Sequence, residues 1–157
     1  MIILGIDPGT AITGFGVIDQ QKGEIILLGA GVIRTPAKQA LDLRLLTIFN
    51  ELNTLIQEFK PSQIAVEQLY FAKNVTTAMS VSHARGVVLL LGAQFGLELA
   101  EYTPLQVKQA ITGYGKADKR QVQEMVKTIL NLKSIPKPDD AADAIAIAIC
   151  HGATITS

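Results

Sequence analysis

The sequence predicts an α/β protein built on a mixed five-stranded sheet with helices on both faces. Three observations predict it. Short apolar runs bounded by turn residues open the chain, with no helical period among them. Segments with apolar residues three and four apart follow, each long enough for a helix. Two further short apolar runs are interleaved with those segments, the order that crossover connections require. With 157 residues, 48% of them hydrophobic, the chain is expected to form a single domain, residues 1–157, whose core needs no disulfide or metal staple.

Ile2–Asp7 is the first strand, closed by the Pro8-Gly9 turn. Gly14–Asp19 and Glu24–Arg34 are the second and third, joined as a hairpin through Gln20–Gly23. Gly29 and Gly31 inside the third strand point to a bulge or to close packing. Pro36 ends this sheet segment. Leu41, Leu45, Ile48, Leu52, Leu55, Ile56 and Phe59 then mark an amphipathic helix, stopped by Lys60-Pro61-Ser62. Ile64–Glu67 is a short buried strand. The helix over Val75–Phe95 is unusually apolar and is expected to pack on more than the domain's own sheet. Leu97–Tyr102 is the fifth strand, Pro104–Ile111 a short helix and Thr112–Ala117 an exposed loop. Val122, Met125, Val126, Ile129 and Leu130 mark a further amphipathic helix. Pro136 and Pro138 break the chain, and Asp139 reads as the N-cap of a last helix, Asp140–His151.

Composition narrows the setting. Cys150 is the single cysteine, so neither an intrachain disulfide nor a cysteine metal site can form, which fits a reducing compartment. The start, MIILGIDPGT, has no basic leader, and the longest apolar runs, Val87–Ala93 and Ala144–Cys150, fall well short of the roughly 18 residues of a membrane span. A soluble cytoplasmic protein with no membrane partner is expected. The formal net charge is zero, but it is unevenly spread. From Lys108 to Lys137 seven basic residues (Lys108, Lys116, Lys119, Arg120, Lys127, Lys133, Lys137) face two acids, a local +5 that permits a phosphate-binding face.

The acids fall in telling places. Asp7 ends the first strand and Glu67 the fourth, each after buried residues, so both lie at a sheet terminus if those strands are parallel neighbours. In Asp139-Asp140-Ala141-Ala142-Asp143, two acids share one face of the first helical turn: Asp140 with Asp143, or Asp139 with Asp143. The helix dipole alone favours one such acid, but not three, nor two more on distant strands. Four carboxylates without a counter-charge repel one another. Hard divalent cations relieve that, and two of them about 3.5–4 Å apart can activate water and stabilise the leaving oxygen of a phosphodiester.

Seven segments in order then carry a resemblance: ILGIDPGT at Ile3–Thr10, GFGVI at Gly14–Ile18, AVEQLYFAKN at Ala65–Asn74, ARGVV at Ala84–Val88, QVKQA at Gln106–Ala110, KADKRQVQ at Lys116–Gln123 and DAADAIAIAI at Asp140–Ile149. The chain resembles the RuvC family of bacterial Holliday junction resolvases over nearly its whole length. The resemblance implies an RNase H-like fold and a magnesium-dependent endonuclease with two Mg²⁺ per subunit, Mn²⁺ substituting. It places the metal-binding catalytic carboxylates on Asp7, Glu67, Asp140 and Asp143, selecting Asp140 over Asp139. It also implies a homodimer that nicks a four-way DNA junction symmetrically, leaving 5′-phosphate and 3′-hydroxyl ends, in recombination and repair. A branch-migration complex, RuvA–RuvB, is the implied partner, and the helix over Val75–Phe95 the implied dimer surface.

The same resemblance implies that Lys108 and Lys119 lie near the scissile phosphate, with Lys119 stabilising developing charge. Tyr70 is placed to stack on an opened base, with Lys73 and Asn74 holding backbone. Lys116 and Arg120 complete the expected DNA-binding set. His83 and His151 read as structural. Relatives often carry a basic tail beyond the last helix, which this sequence does not show.

Rival readings have weaker support. Asp7-Pro8-Gly9-Thr10 also resembles the phosphate loop of actin-like sugar kinases and chaperone ATPases, which need two domains and far more chain. A non-catalytic junction-binding module would not need all four acids. A related nuclease acting on ribosomal RNA shares the fold but is expected to lack the AVEQLYFAKN and QVKQA segments.

Overall fold

The computed structural model describes residues 1–68 and 75–156. Strands β1 (Ile2–Asp7), β2 (Ile12–Gln21) and β3 (Glu24–Arg34) come first. Helix α1 (Leu41–Phe59), strand β4 (Gln63–Glu67), helix α2 (Val75–Phe95) and strand β5 (Glu98–Tyr102) follow. Helices α3 (Pro104–Thr112), α4 (Lys119–Ile129) and α5 (Asp139–Thr156) end the chain. The five strands form one sheet in the order β3-β2-β1-β4-β5. β1 and β2, and β2 and β3, pair antiparallel, whereas β1 and β4, and β4 and β5, pair parallel. The mixed sheet is therefore as expected, with β2 two residues longer at each end than its apolar pattern. The glycines of β3 mark a bulge: the register slips between Val17 and Ile18, beside Gly29, and Gly29 itself lies against the ring of Phe59.

Strand alternation sorts the core into two layers. Leu4, Ile6, Val17, Ile64 and Val66 face α1 and α2, and pack on Ile48, Leu52, Ala84, Val88 and Leu91. Ile3, Ile18, Ala65 and Tyr102 face the other way, onto α3, α4 and α5. Helices thus cover both faces. Each fully buried aliphatic, such as Leu52 or Ile48 at 0% exposure, contributes about 1.5–3 kcal/mol.

The α5 layer is built differently, from small residues. A Cβ added to Gly5 would overlap the backbone carbonyl oxygen of Ala144, and one added to Gly14 that of Asp140. A Cβ on Gly16 would come within 2.8 Å of the Ile145 backbone. Only hydrogen fits at these positions, so β1 and β2 let α5 lie directly on the sheet. Ala141, Ala142, Ala144 and Ala148, all buried, complete the contact from the helix side.

Two expectations need correction. Asp139 is not the N-cap of the last helix; it lies within the first turn of α5. The Pro138 carbonyl accepts the first helical bonds, from the backbone N–H of Ala141 (3.0 Å) and Ala142 (3.4 Å), which leaves the Asp139 side chain free for other partners. The helix also continues to Thr156, beyond His151. As for α2, it is long and apolar enough by composition to cross a membrane, alone in this among the described helices. Its Ala84, Val88, Leu91 and Gly92 are buried, and Arg85 pairs with Glu101 of β5. Its Val75, Met79 and Leu90 lie exposed, at 75%, 56% and 59%.

Candidate active site

The register Ile6↔Val66 in the parallel pair sets Asp7 and Glu67 side by side at the carboxyl ends of β1 and β4. Alternation turns both toward α5, because Gly5 and Ala65, two residues earlier, face that helix. The glycine cradle then decides how close the first turn of α5 can come. Since Gly14 pairs with Asp7 and touches Asp140, the acids of α5 are set directly over those of the sheet.

The turn after Asp7 is tied down by hydroxyls. Thr13 Oγ1 donates to the Gly9 carbonyl (2.6 Å), Thr10 Oγ1 to the Ser80 carbonyl (2.7 Å) and Thr35 Oγ1 to the Thr10 carbonyl (2.6 Å). Thr10, Thr13 and Thr35 are all buried. The position of Asp7 is therefore held by three segments of chain rather than by the strand end alone.

The electrostatics follow from this crowding. The Asp7 carboxyl is pushed up to about 8, by burial first and then by the charges of Glu67, Asp143 and Asp140, with Lys119 acting against them. Glu67 is raised by burial and by Asp143, against Lys119 and a hydrogen bond with Asp7. Asp143 is raised by burial despite its bond to Lys119, and Asp140 and Asp139 add to the rise. Burial works against the Lys119 charge, but its bond to Asp143 and the charges of Asp143 and Asp139 hold its ammonium above the ordinary value.

Lys119 thus links the group. Its Nζ lies 3.0 Å from an oxygen of Asp143 and 3.4 Å from one of Asp139. Capping fixes its place: Asp118 caps α4, its side chain accepting from the Gln121 N–H, and Lys119 is the next residue. Asp139 also accepts from Gln123 Nε2 at 3.1 Å, which ties α4 to the start of α5. A cleft of about 250 Å³ adjoins these groups. Glu67, Lys108, Lys119 and Asp143 border it, and Val107, Val122 and Ile147 supply aliphatic wall.

The structure therefore gathers Asp7, Glu67, Asp140, Asp143, Lys119 and Lys108. It does not bring Lys116 or Arg120 to the acids: Lys116 is exposed in the loop before α4, and Arg120 bonds Glu124 at 2.8 and 3.1 Å. Tyr70, Lys73 and Asn74 lie outside the described residues. His151 is part of a separate buried chain, 2.8 Å from the Tyr102 hydroxyl and 2.7 Å from Gln63 Oε1, consistent with a structural role. Asp139 and Gln123 as anchors of Lys119, and Gly5, Gly14 and Gly16 as the cradle, were missed in the sequence. The small residues of GFGVI and DAADAIAIAI were the available signal.

Among the described residues no three acidic, histidine or cysteine side chains enclose a common point closely enough to hold an ion as they stand. The donor set nevertheless fits a hard divalent cation. It is all oxygen and partly accessible, and Asp7, Glu67 and Asp143 are held above their ordinary protonation range by burial first and then by neighbouring acids, with Lys119 as internal counter-charge.

Comparison with known proteins gives a consistent result. Residues 3–151 match the family model of crossover junction endodeoxyribonuclease RuvC. The RuvC of Ruminiclostridium cellulolyticum is 55% identical over 152 residues, covering 97% of this chain and 92% of that protein. The RuvC of Alkaliphilus oremlandii is 54% identical over 154 residues, covering 98% and 94%. Thermus thermophilus RuvC superposes with a TM-score of 0.93 at 36% identity, covering 99% of this chain and 96% of that one. The same protein in complex with Holliday junction substrate gives 0.94 at 35% identity, covering 99% and 94%. The yeast mitochondrial Holliday junction resolvase Ydc2, at 18% identity and a TM-score of 0.64, shares the fold.

Proposed function

Because the chain belongs to the RuvC family of crossover junction endodeoxyribonucleases, with the RNase H-like fold, we propose that it resolves four-way DNA junctions by paired, symmetric nicking in recombination and repair. The observation that carries this reading is the acid cluster. Asp7 and Glu67 end adjacent parallel strands under Asp140 and Asp143, and the Asp7 carboxyl is driven up to about 8 by burial and by its neighbours. Nothing in a purely structural role rewards that arrangement.

Asp7, Glu67, Asp140 and Asp143 would hold two Mg²⁺ ions per subunit, or Mn²⁺ in their place. Bound there, the metal supplies charge neutralisation and an activated water for cleavage to 5′-phosphate and 3′-hydroxyl ends. The protein's own groups do the rest. Lys119 and Lys108, both lining the cleft, orient the scissile phosphate, and Lys119 stabilises the charge that grows on it. The aliphatic wall of Val107, Val122 and Ile147 excludes water from one side of that phosphate. Tyr70, Lys73 and Asn74 engage the opened crossover.

Two subunits pair through α2, whose Val75, Met79 and Leu90 are exposed together with Leu43 and Leu46 of α1. That pairing presents two clusters to one junction and accounts for symmetric cutting. The protein acts as one domain in the bacterial cytoplasm, at the nucleoid, with a RuvA–RuvB branch-migration complex.

The test compares a mobile four-way junction with linear duplex, each with Mg²⁺ and with EDTA. Paired, ligatable nicks on the junction alone, and only with Mg²⁺, are expected. Equal cutting of linear duplex would overturn junction selectivity, and cutting in EDTA would overturn the metal requirement.

A further inference from the structure

Four cationic side chains outside the acid site line one notch. Arg120 and Lys127 of α4 form one wall, and Lys133 and Lys137 of the segment leading into α5 form the other, around about 610 Å³. Glu124 is the one acid lining it, and it is committed to Arg120. Lys127, Lys133 and Lys137 make no ion pair among the described residues. A chain of zero net charge therefore concentrates unpaired positive charge in one concavity.

We propose that this notch binds the backbone phosphates of a duplex arm flanking the crossover, apart from the phosphate that is cut. The inference rests on the junction-cleaving reading above.

Placement supports it. Arg120 directly follows Lys119, and Lys137-Pro138 directly precede Asp139, the two residues joined beside the acid cluster. Both walls of the notch therefore begin at the active site and lead away from it. The notch lies on the α4–α5 side of the sheet, opposite the α1–α2 layer whose exposed apolar residues would join two subunits. The notch is therefore on the face that such a pairing leaves free, beside the acids of its own subunit.

The chemistry is that of a polyanion track rather than a site for one small anion. The cations are spread along an open groove instead of converging on a buried point. Arg120 and Lys127 are seven residues apart, about 10 Å along the helix, which matches roughly three steps of duplex at 3.4 Å per step. Lysines act as point charges and do not read base edges, so the contact adds affinity without sequence preference.

The test is the triple variant K127Q/K133Q/K137Q of the full chain. Binding to a labelled four-way junction is measured by anisotropy in EDTA between 50 and 200 mM salt, on long arms and on arms cut back to a few base pairs. On long arms the variant is expected to bind about 10-fold or more weaker at 100 mM salt, with its salt slope reduced by about 2–3, while the short-armed junction is bound alike by both proteins. Nicking at saturating junction is expected to be unchanged, and K127R/K133R/K137R should restore the slope. An unchanged slope on long arms would overturn the proposal, and so would an equal loss on short arms, because the lysines would then contact the crossover itself. Wild-type protein that binds linear duplex as tightly as the junction overturns the junction reading instead; a reduced slope on that duplex would still support the notch.

Discussion

The two faces of the sheet are packed by different means. Toward α1 and α2 the core is made of large aliphatics, Leu4, Ile6, Ile48, Leu52 and Ile64, which fill volume and tolerate small displacements. Toward α5 the contact is backbone on backbone, through Gly5, Gly14 and Gly16 against Ala144, Asp140 and Ile145. The first layer is filled by large side chains and leaves others, Val75, Met79 and Leu90, exposed. The second brings helix backbone onto strand backbone and fixes the height of two acids above two others. Volume filling and close backbone approach thus lie on opposite sides of one sheet, and substitutions should separate their effects.

The largest effect is expected at the acids. Asp7→Asn should lower junction nicking by on the order of 10³-fold, the scale on which loss of one electrostatic stabiliser of the transition state acts, with junction binding retained. Nicking kept at the wild-type rate would remove Asp7 from the reaction. Next comes the cradle. Gly14→Ala should force α5 away from β2, costing about 1–3 kcal/mol and slowing nicking by roughly 10²-fold. If the folded fraction nicks normally, the close approach is not what positions Asp140.

Leu52→Ala, on the other face, tests the converse. It should cost about 2–5 kcal/mol in denaturant unfolding yet leave the nicking rate per folded molecule unchanged. A rate falling in step with Gly14→Ala would show that the two faces are not independent.

The smallest effect concerns the acids' cost to the fold. The folded Asp7 carboxyl lies at about 8 against 3.8 for an ordinary aspartate, so between those values the folded state holds more protons than the unfolded one. Stability in EDTA must then fall as pH rises through that window and level off above it. Glu67 and Asp143, also raised, act in the same direction. Asp7→Asn should therefore be more stable than wild type by about 1–3 kcal/mol at pH 8, the gap closing toward pH 4. Melts that show the gap widening on acidification would contradict the repulsive cluster. Added Mg²⁺ should stabilise wild type more than the variant.

Much of this was legible locally. Alternating and three-to-four spacing place β1, β4, α1 and α5 within a few residues, since each period is a property of the chain over a short window. Asp7 and Glu67 stand out because an acid closing a buried run must reach an edge or a partner. The four-acid set, by contrast, came from the family resemblance, because Asp139 and Asp140 are equally good by helical spacing.

What the tertiary structure alone decided is the company these residues keep. Asp139 looked like a cap and is instead an anchor for Lys119 and Gln123, 20 and 16 positions away. Lys119 and Arg120 are chain neighbours, yet one turns to Asp143 and the other to Glu124. The height of α5 depends on glycines from two strands meeting Asp140, Ala144 and Ile145, more than a hundred residues later. Periodicity fixes which way a side chain points along its own element. It carries no information on how closely two elements approach, because that distance is set by small residues brought together only when the sheet is assembled.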